Sequence, residues 1–304
     1  MPSNRREFLA GSLGLAAALV TAGCLDDTPG ETDSPTDSPT EPKGSPSETE
    51  VPPPAAADRT VGGATVAVFD VEARKAVTYE SIMGSGGVVA RDGKQFVVAS
   101  VRSDAELETD AFSLRAGGES WAAVDPGDEG AQNYAVAGHE GGIVGSPDLT
   151  GGDGPRYVAF ELDSPLDAEE PRIVLENGGE TGEWELPPDA RERLAASAPS
   201  FEIDSLDAPD SVDRGETLDV EITATNTTET DGRFLAAAYW PTTIADDDES
   251  HLIERSVDAG ESVTASLSID TGDTRTDEGS ATLRLSGHVD AEREVTVVGG
   301  TSTA

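Results

Sequence analysis

Leu218, Val220, Ile222 and Ala224 alternate with Asp219, Glu221 and Thr223, and this period-two pattern, repeated through the last third of the chain, most restricts its fold. A strand turns successive side chains to opposite faces, so such a run belongs to a sheet with one packed face and one wet face. The pattern recurs in Phe201-Glu202-Ile203-Asp204-Ser205-Leu206, in Val263, Ala265, Leu267 and Ile269 set among Ser and Thr, and in Ala281, Leu283 and Leu285. Turn signals separate the runs: Asp213-Arg214-Gly215, Asp231-Gly232, Asp258-Ala259-Gly260 and Asp277-Glu278-Gly279. Seven strands are expected, near 200–206, 217–226, 232–240, 251–257, 261–270, 279–288 and 292–298. Seven short antiparallel strands in about 100 residues close into a two-sheet sandwich.

Ala208-Pro209 precedes the second of these strands, Thr223-Ala224-Thr225-Asn226 ends it, and Asp258-Ala259-Gly260-Glu261-Ser262 leads into the fifth. With these residues the segment resembles the cell-adhesion-related (CARDB-like) and fibronectin-like modules of archaeal surface proteins. The resemblance spans almost all of 199–298. It implies an Ig-like fold and no particular ligand.

Upstream, apolar β-branched runs at Ala64–Val71 and Lys94–Arg102 are followed by Phe112-Ser113-Leu114, Tyr157–Leu162, Arg172–Leu175 and Glu183–Leu186. The stretches Gly93–Val101 and Tyr157–Leu162 resemble an Ig-like lipoprotein module of unknown function, which implies a second β-sandwich. Gly84-Ser85-Gly86-Gly87 reads as a hairpin turn, and the glycine-rich stretch Gly127–Gly154 as the longest loop. Between the halves, Leu186-Pro187-Pro188-Asp189 opens a short helix from Ala190 to Ser197, with Ala190 and Leu194 one turn apart.

The N-terminus carries Arg5-Arg6-Glu7-Phe8-Leu9, 18 uncharged residues from Phe8 to Leu25, and Thr21-Ala22-Gly23-Cys24. It resembles a twin-arginine export signal ending in a lipobox. That resemblance implies cleavage before Cys24, a diacylglycerol on its sulfur, and a protein held at the extracytoplasmic face of the cell membrane. The alternative is an uncleaved apolar anchor, for which 18 residues is about the lower limit of a membrane span. Both place the bulk outside, because Arg5 and Arg6 hold the N-terminus inside. Cys24 is the sole cysteine, so no intrachain disulfide or thiolate metal cluster is possible. Residues 25–58 then mix Thr, Ser, Asp and Glu with Ser-Pro and Pro-Pro-Pro steps, a disordered stalk that buries no core. The expected organisation is all-β: a signal at 1–23, lipidated Cys24 and stalk over 24–58, a β-sandwich over 59–189, a linker helix over 190–198, an Ig-like sandwich over 199–299 and a disordered tail over 300–304.

Charge limits the partners. There are 60 Asp and Glu against 20 Lys and Arg, a formal charge of −40, and only Lys43, Lys75 and Lys94 are lysines. Such self-repulsion opposes compaction unless salt screens it. Scattered acids and scarce lysine resemble the proteins of halophilic archaea. Without a basic patch, nucleic-acid binding is excluded as a function class.

Chemistry-bearing residues are few. His139, His251 and His288 are far apart in sequence and show no zinc spacing. His139, in Ala137-Gly138-His139-Glu140-Gly141-Gly142, pairs a base with a carboxylate on a glycine loop and is either a catalytic group or a solvated loop residue. His251 and His288 are expected at the rims of strands. No Gly-x-Ser-x-Gly elbow, P-loop or dinucleotide fingerprint occurs. Asp246–Glu249 and Asp270–Asp277 offer clustered oxygens of the kind calcium takes but lack its loop spacing, so no metal is assigned. Tyr239 and Trp240 form either an exposed contact pair for glycan or protein or a core plug. Asn226-Thr227-Thr228 is an N-glycosylation sequon. Together these point to a non-enzymatic surface lipoprotein without cofactor, whose two sandwiches bind or organise an envelope protein or glycan. The alternative is a solute-binding or hydrolytic accessory lipoprotein with its site in the 127–154 loop region.

Overall fold

The computed structural model describes residues 58–82, 86–127, 133–147, 154–243 and 248–299. Arg5, Arg6, Phe8, Leu9, Cys24, the stalk before residue 58 and the tail 300–304 lie outside them, as do Ser85 and Asp246-Asp247. The described protein is all-β apart from one α-helix and one short 3-10 turn.

The first half comprises β1 (Arg59–Val61), β2 (Ala64–Arg74), β3 (Ala76–Ser81), β4 (Gly87–Ala90), β5 (Lys94–Ser103) and β6 (Phe112–Ala116). It continues with β7 (Glu119–Ala122), β8 (Asn133–Val136), β9 (His139–Glu140), β10 (Arg156–Asp163), β11 (Arg172–Asn177), β12 (Glu180–Glu185) and α1 (Pro188–Ala195). They form three sheets, ordered β1-β2-β5-β10, β12-β11-β6-β7 and β4-β3-β8-β9. The first sheet is buried on both faces. Val97, Ala99, Val158 and Phe160 pack against Phe112, Leu114, Ile173 and Leu175 of the second sheet. Phe96, Val98, Tyr157 and Ala159 face the other way, against Val77, Tyr79 and Val136 of the third. Strands buried on both sides read as continuous apolar runs, which is why Phe96–Ala99 and Tyr157–Phe160 show no alternation.

Two expectations change here. The stretch 127–154 is not a simple loop, because it supplies β8 and β9 to the third sheet. The helix is not a bare linker either: Ala190 and Leu194 are buried in the first core. Lys75 fixes its end, donating to Ala196 O (2.6 Å), to Gln95 Oε1 (2.7 Å) and to Ser164 Oγ (3.1 Å). Burial pushes the Lys75 ammonium down to about 8.

The second half comprises β13 (Phe201–Asp207), β14 (Ser211–Asp213), β15 (Thr217–Asn226), β16 (Gly232–Trp240), β17 (Glu249–Val257), β18 (Ser262–Asp270), β19 (Gly279–Gly287) and β20 (Ala291–Val298). Sheets β13-β15-β18 and β14-β20-β19-β16-β17 face one another. All pairs are antiparallel except β14 with β20, the short strand that the period-two pattern was too brief to reveal. Leu218, Val220, Ile222 and Ala224 of β15 meet Phe234, Ala236, Ala238, Leu283 and Leu285 in one core. Each fully buried Leu, Ile or Phe there contributes roughly 1.5–3 kcal/mol of transfer free energy.

The halves are joined by more than the helix. The β3–β4 hairpin lies across the outer face of the five-stranded sheet, with β4 against β16, β17 and β19. Leu235 and Ala237 point away from the sandwich core and are buried nonetheless. The approach is close at Gly287: a Cβ there would meet Leu235 O at 2.6 Å and Val88 Cγ1 at 3.2 Å, at a φ of +147° that favours glycine.

Candidate functional site

The 127–154 region was the sequence's one candidate for a chemical centre. His139 sits on β9 opposite Val136, and its Nδ1 lies 2.8 Å from Ser100 Oγ on β5. Both side chains are buried, His139 to 6% exposure and Ser100 to 7%. Burial lowers the His139 pKa, with Glu72 and Asp70 pulling it up and Arg74 pushing it down. This pair ties the third sheet to the first. A serine nucleophile needs an exposed Oγ, and among the described residues Ser100 is only 7% exposed.

The residues around it are also engaged. Asp125 Oδ1 accepts Asn133 Nδ2 (2.7 Å) and Tyr157 OH (3.2 Å), while burial and this carboxylate push the Tyr157 phenol upward. Arg156 donates from one nitrogen to Gly141 O, Ser146 O and Ser146 Oγ, each at 3.1 Å. These bonds lace residues 141–146 onto β10. A cleft of about 670 Å³ opens nearby, lined by Val101, Asp104, Leu107, Glu108, Val144 and Arg156, and His139 is not on its wall.

At the junction of the halves, a groove of about 490 Å³ includes Arg74, Lys75, Arg193, Arg233 and Leu235 in its lining. Most of these cations are already held. Arg74 pairs with Glu72, Arg233 with Glu254, and Lys75 with the three acceptors given above. Arg233 and Lys75 thereby join separate elements, while Arg74 pairs within β2.

His288 follows β19 at a half-buried position that lines an open cleft with Phe201, Val289 and Asp290, its ring 5.0 Å from Phe201 and 6.3 Å from Phe234. Nδ1 lies 2.9 Å from Leu235 N and 3.2 Å from Leu235 O, so its role as acceptor or donor is set by the tautomer. Burial lowers its pKa to about 4. The unfolded chain therefore takes up a proton near 6.5 and the folded chain only near 4, so stability falls as pH drops through that window. The loss is at most about 3 kcal/mol. Thermal melts in molar KCl should show this slope for the wild type and a flatter one for His288→Gln, whose amide oxygen can accept the Leu235 N–H; parallel curves would refute it. His251 lies within β17 opposite Ala238, and its Nε2 is buried without a hydrogen-bond partner.

The structure places the candidate site residues of the second half. Trp240 is fully buried and donates from Nε1 to Thr274 Oγ1 at 2.8 Å, so it is a core plug and not an exposed contact. Tyr239 is half-buried, with the Arg284 guanidinium 4.4 Å from its ring centre and its hydroxyl against Gly87 of the hairpin, a contact made within the molecule. Asn226 is also fully buried. Its Nδ2 donates to Thr230 O (2.8 Å) and Asp258 O (3.2 Å), and its Oδ1 accepts Thr228 N (3.1 Å). The nitrogen a glycan would need is thus engaged in a turn. The sequon's spacing says nothing of burial, so the sequence alone did not show this engagement.

The described acids of the two calcium candidates do not converge on one point. Asp270 accepts the Gly272 N–H (2.8 Å), Asp277 pairs with Arg214, and Asp248 lies 3.5 Å from Arg275. Among the described residues no group of three or more metal-ligating side chains assembles.

No protein-family model and no curated protein matches the chain. Solved structures with partial likeness include a mutant β-glucosidase from Listeria innocua in complex with laminaribiose, at 19% identity and a TM-score of 0.30 over 34% of this chain and 17% of that one. Others are the β-glucosidase EmGH1 of Erythrobacter marinus (18%, 0.29, over 34% and 16%) and the GH3 β-glucosidase of Bifidobacterium adolescentis (22%, 0.28, over 34% and 18%). The matched part spans about a sixth of those chains, and likeness of this degree assigns neither an activity nor a family.

Proposed function

We propose that this is a non-enzymatic surface lipoprotein, held by a lipid on Cys24 at the extracytoplasmic face of the cell membrane, whose stalk presents two Ig-like β-sandwich units that bind or organise another envelope component. Within this reading, residues 199–299 are an Ig-like module of three- and five-stranded sheets. The first half is a sandwich enlarged by a third sheet, whose hairpin grips its neighbour. The observation that carries the reading is the inward engagement of the reactive groups: His139 on Ser100, Asp125 on Tyr157 and Asn133, and Lys75 on Gln95, Ser164 and Ala196. A general acid or base must reach its substrate's proton, and these groups are occupied with holding sheets together. The acidic surface disfavours nucleic acid and leaves envelope protein or glycan as the partner classes.

Affinity capture of the native protein from envelope solubilised in molar salt tests the proposal. A specific protein or glycan should be recovered reproducibly. Repeated recovery of bulk surface-layer protein alone would contradict it.

A further inference from the structure

Acids stand along most of the long sheet edges of this molecule, while the acid-free edges β1 and β4 are only three and four residues long. Along β13 stand Glu202, Asp204 and Asp207; along β12, Glu180, Glu183 and Glu185; along β17, Glu249 and Glu254. Strand β18 differs. From Ser262 to Ile269 it carries no charge, and Asp270 ends it. It is the outer strand of its sheet, paired to β15 through nine consecutive positions from Thr217↔Asp270 to Thr225↔Ser262 with no bulge. Among the described residues no hydrogen bond reaches its outward backbone groups, and it forms no ladder with β17. Natural edges are protected by charge, proline, bulges or short length, and β18 has only the charge of Asp270 at its end.

We propose that β18 is the seam of a symmetric dimer, in which it pairs antiparallel with β18 of a second copy of this chain to make one continuous six-stranded sheet. Two features select a second copy as the occupant. The first is self-complementarity. A two-fold centred on Ala265 sets Thr264 opposite Ser266, Val263 opposite Leu267 and Ser262 opposite Ser268, so hydroxyls face hydroxyls on the wet side and aliphatic groups meet on the core side. The second is charge. Copies carrying −40 each can approach only where acids are sparse. At the seam itself the acids are only Asp270 and Glu261, which the two-fold sets at its two ends, Asp270 opposite Gly260 and Glu261 opposite Ile269; the nearest acidic row along a strand is Asp219 and Glu221 on β15, and joining two β18 strands separates those rows by three strand spacings, about 14 Å. That exceeds the Debye length of about 8 Å at 0.15 M salt and about 3 Å at 1 M. Joining at β13 or β12 would bring acidic rows to one spacing, about 5 Å. The dimer does not depend on the anchor or on any envelope partner.

Sedimentation equilibrium of the full chain carrying Cys24→Ser, in molar KCl, should give twice the monomer mass of 31.4 kDa. In the same background, Thr264→Cys and Ser266→Cys are exposed substitutions that leave the core untouched. Mixing the two under mild oxidation should form disulfide-linked heterodimers about tenfold more efficiently than mixing either with Glu202→Cys, because pairing holds the two thiols at high effective concentration. A monomer at every concentration, or crosslinking no better than the Glu202→Cys control, would overturn the proposal.

Discussion

Lowering KCl from molar to about 0.1 M should abolish the sheet signal of this protein in circular dichroism, since unscreened repulsion then extends to about 10 Å instead of about 3 Å. The described cations cannot neutralise the 60 acids. Arg91 meets Glu161, Arg115 meets Glu176 and Arg172 meets Glu170 and Glu183, yet these are exposed pairs, each worth about 0–1 kcal/mol. Repulsion among the remaining carboxylates acts against a net folding stability of only about 5–15 kcal/mol. Restoring salt should restore the signal, because screening is reversible. A thermal midpoint unchanged between the two salt conditions would show that the acidic composition does not set the stability.

Trp240→Ala should destabilise the second half by about 3–5 kcal/mol, the range for emptying a large aromatic site that cannot collapse. Trp240 is among the largest fully buried side chains and closes one end of the sandwich. It also begins a relay. Its Nε1 donates to Thr274 Oγ1, Thr274 Oγ1 donates to Thr271 O (2.8 Å), and Thr271 Oγ1 donates to Glu216 O (2.7 Å). The end of β16 is thereby fastened to the β18–β19 connection and to the turn before β15. Trp240→Phe keeps most of the volume and loses the N–H, so it should cost only about 1–2 kcal/mol. Denaturant melts in molar KCl separate the two. Equal small effects would mean that Trp240 stands at a surface after all.

How much of this was legible in the sequence follows from periodicity. In β15 one face is wet, so alternation marked Leu218, Val220, Ile222 and Ala224 as core and placed the strand ends correctly. In β5, β10 and β16 both faces are covered, and Phe96–Ala99, Tyr157–Phe160 and Phe234–Ala238 are continuous apolar runs. Those runs already carried the sign of a further layer. The layer itself went unseen because β4, β8 and β9 are only four, four and two residues long, too short to show any period. Of the site residues, Trp240 as a plug was within reach of the sequence. The Ser100–His139 pair was not, since its members are 39 residues apart and join only when β9 folds over β5. The hairpin contact at Gly87 and Tyr239 was equally hidden, because no local pattern records which sheet covers which.

The anchor underlies the whole functional reading, and the mass of the membrane-extracted protein tests it most directly. A mature chain beginning at Cys24, heavier by a diacylglycerol, is the expected result, with Cys24→Ser giving a released or unprocessed protein. Paired Arg5→Lys and Arg6→Lys should stop export, because an ammonium cannot reproduce the planar donor fork of the two guanidinium groups. An intact Met1, with membrane attachment and size unchanged by Cys24→Ser, would contradict the lipoprotein account.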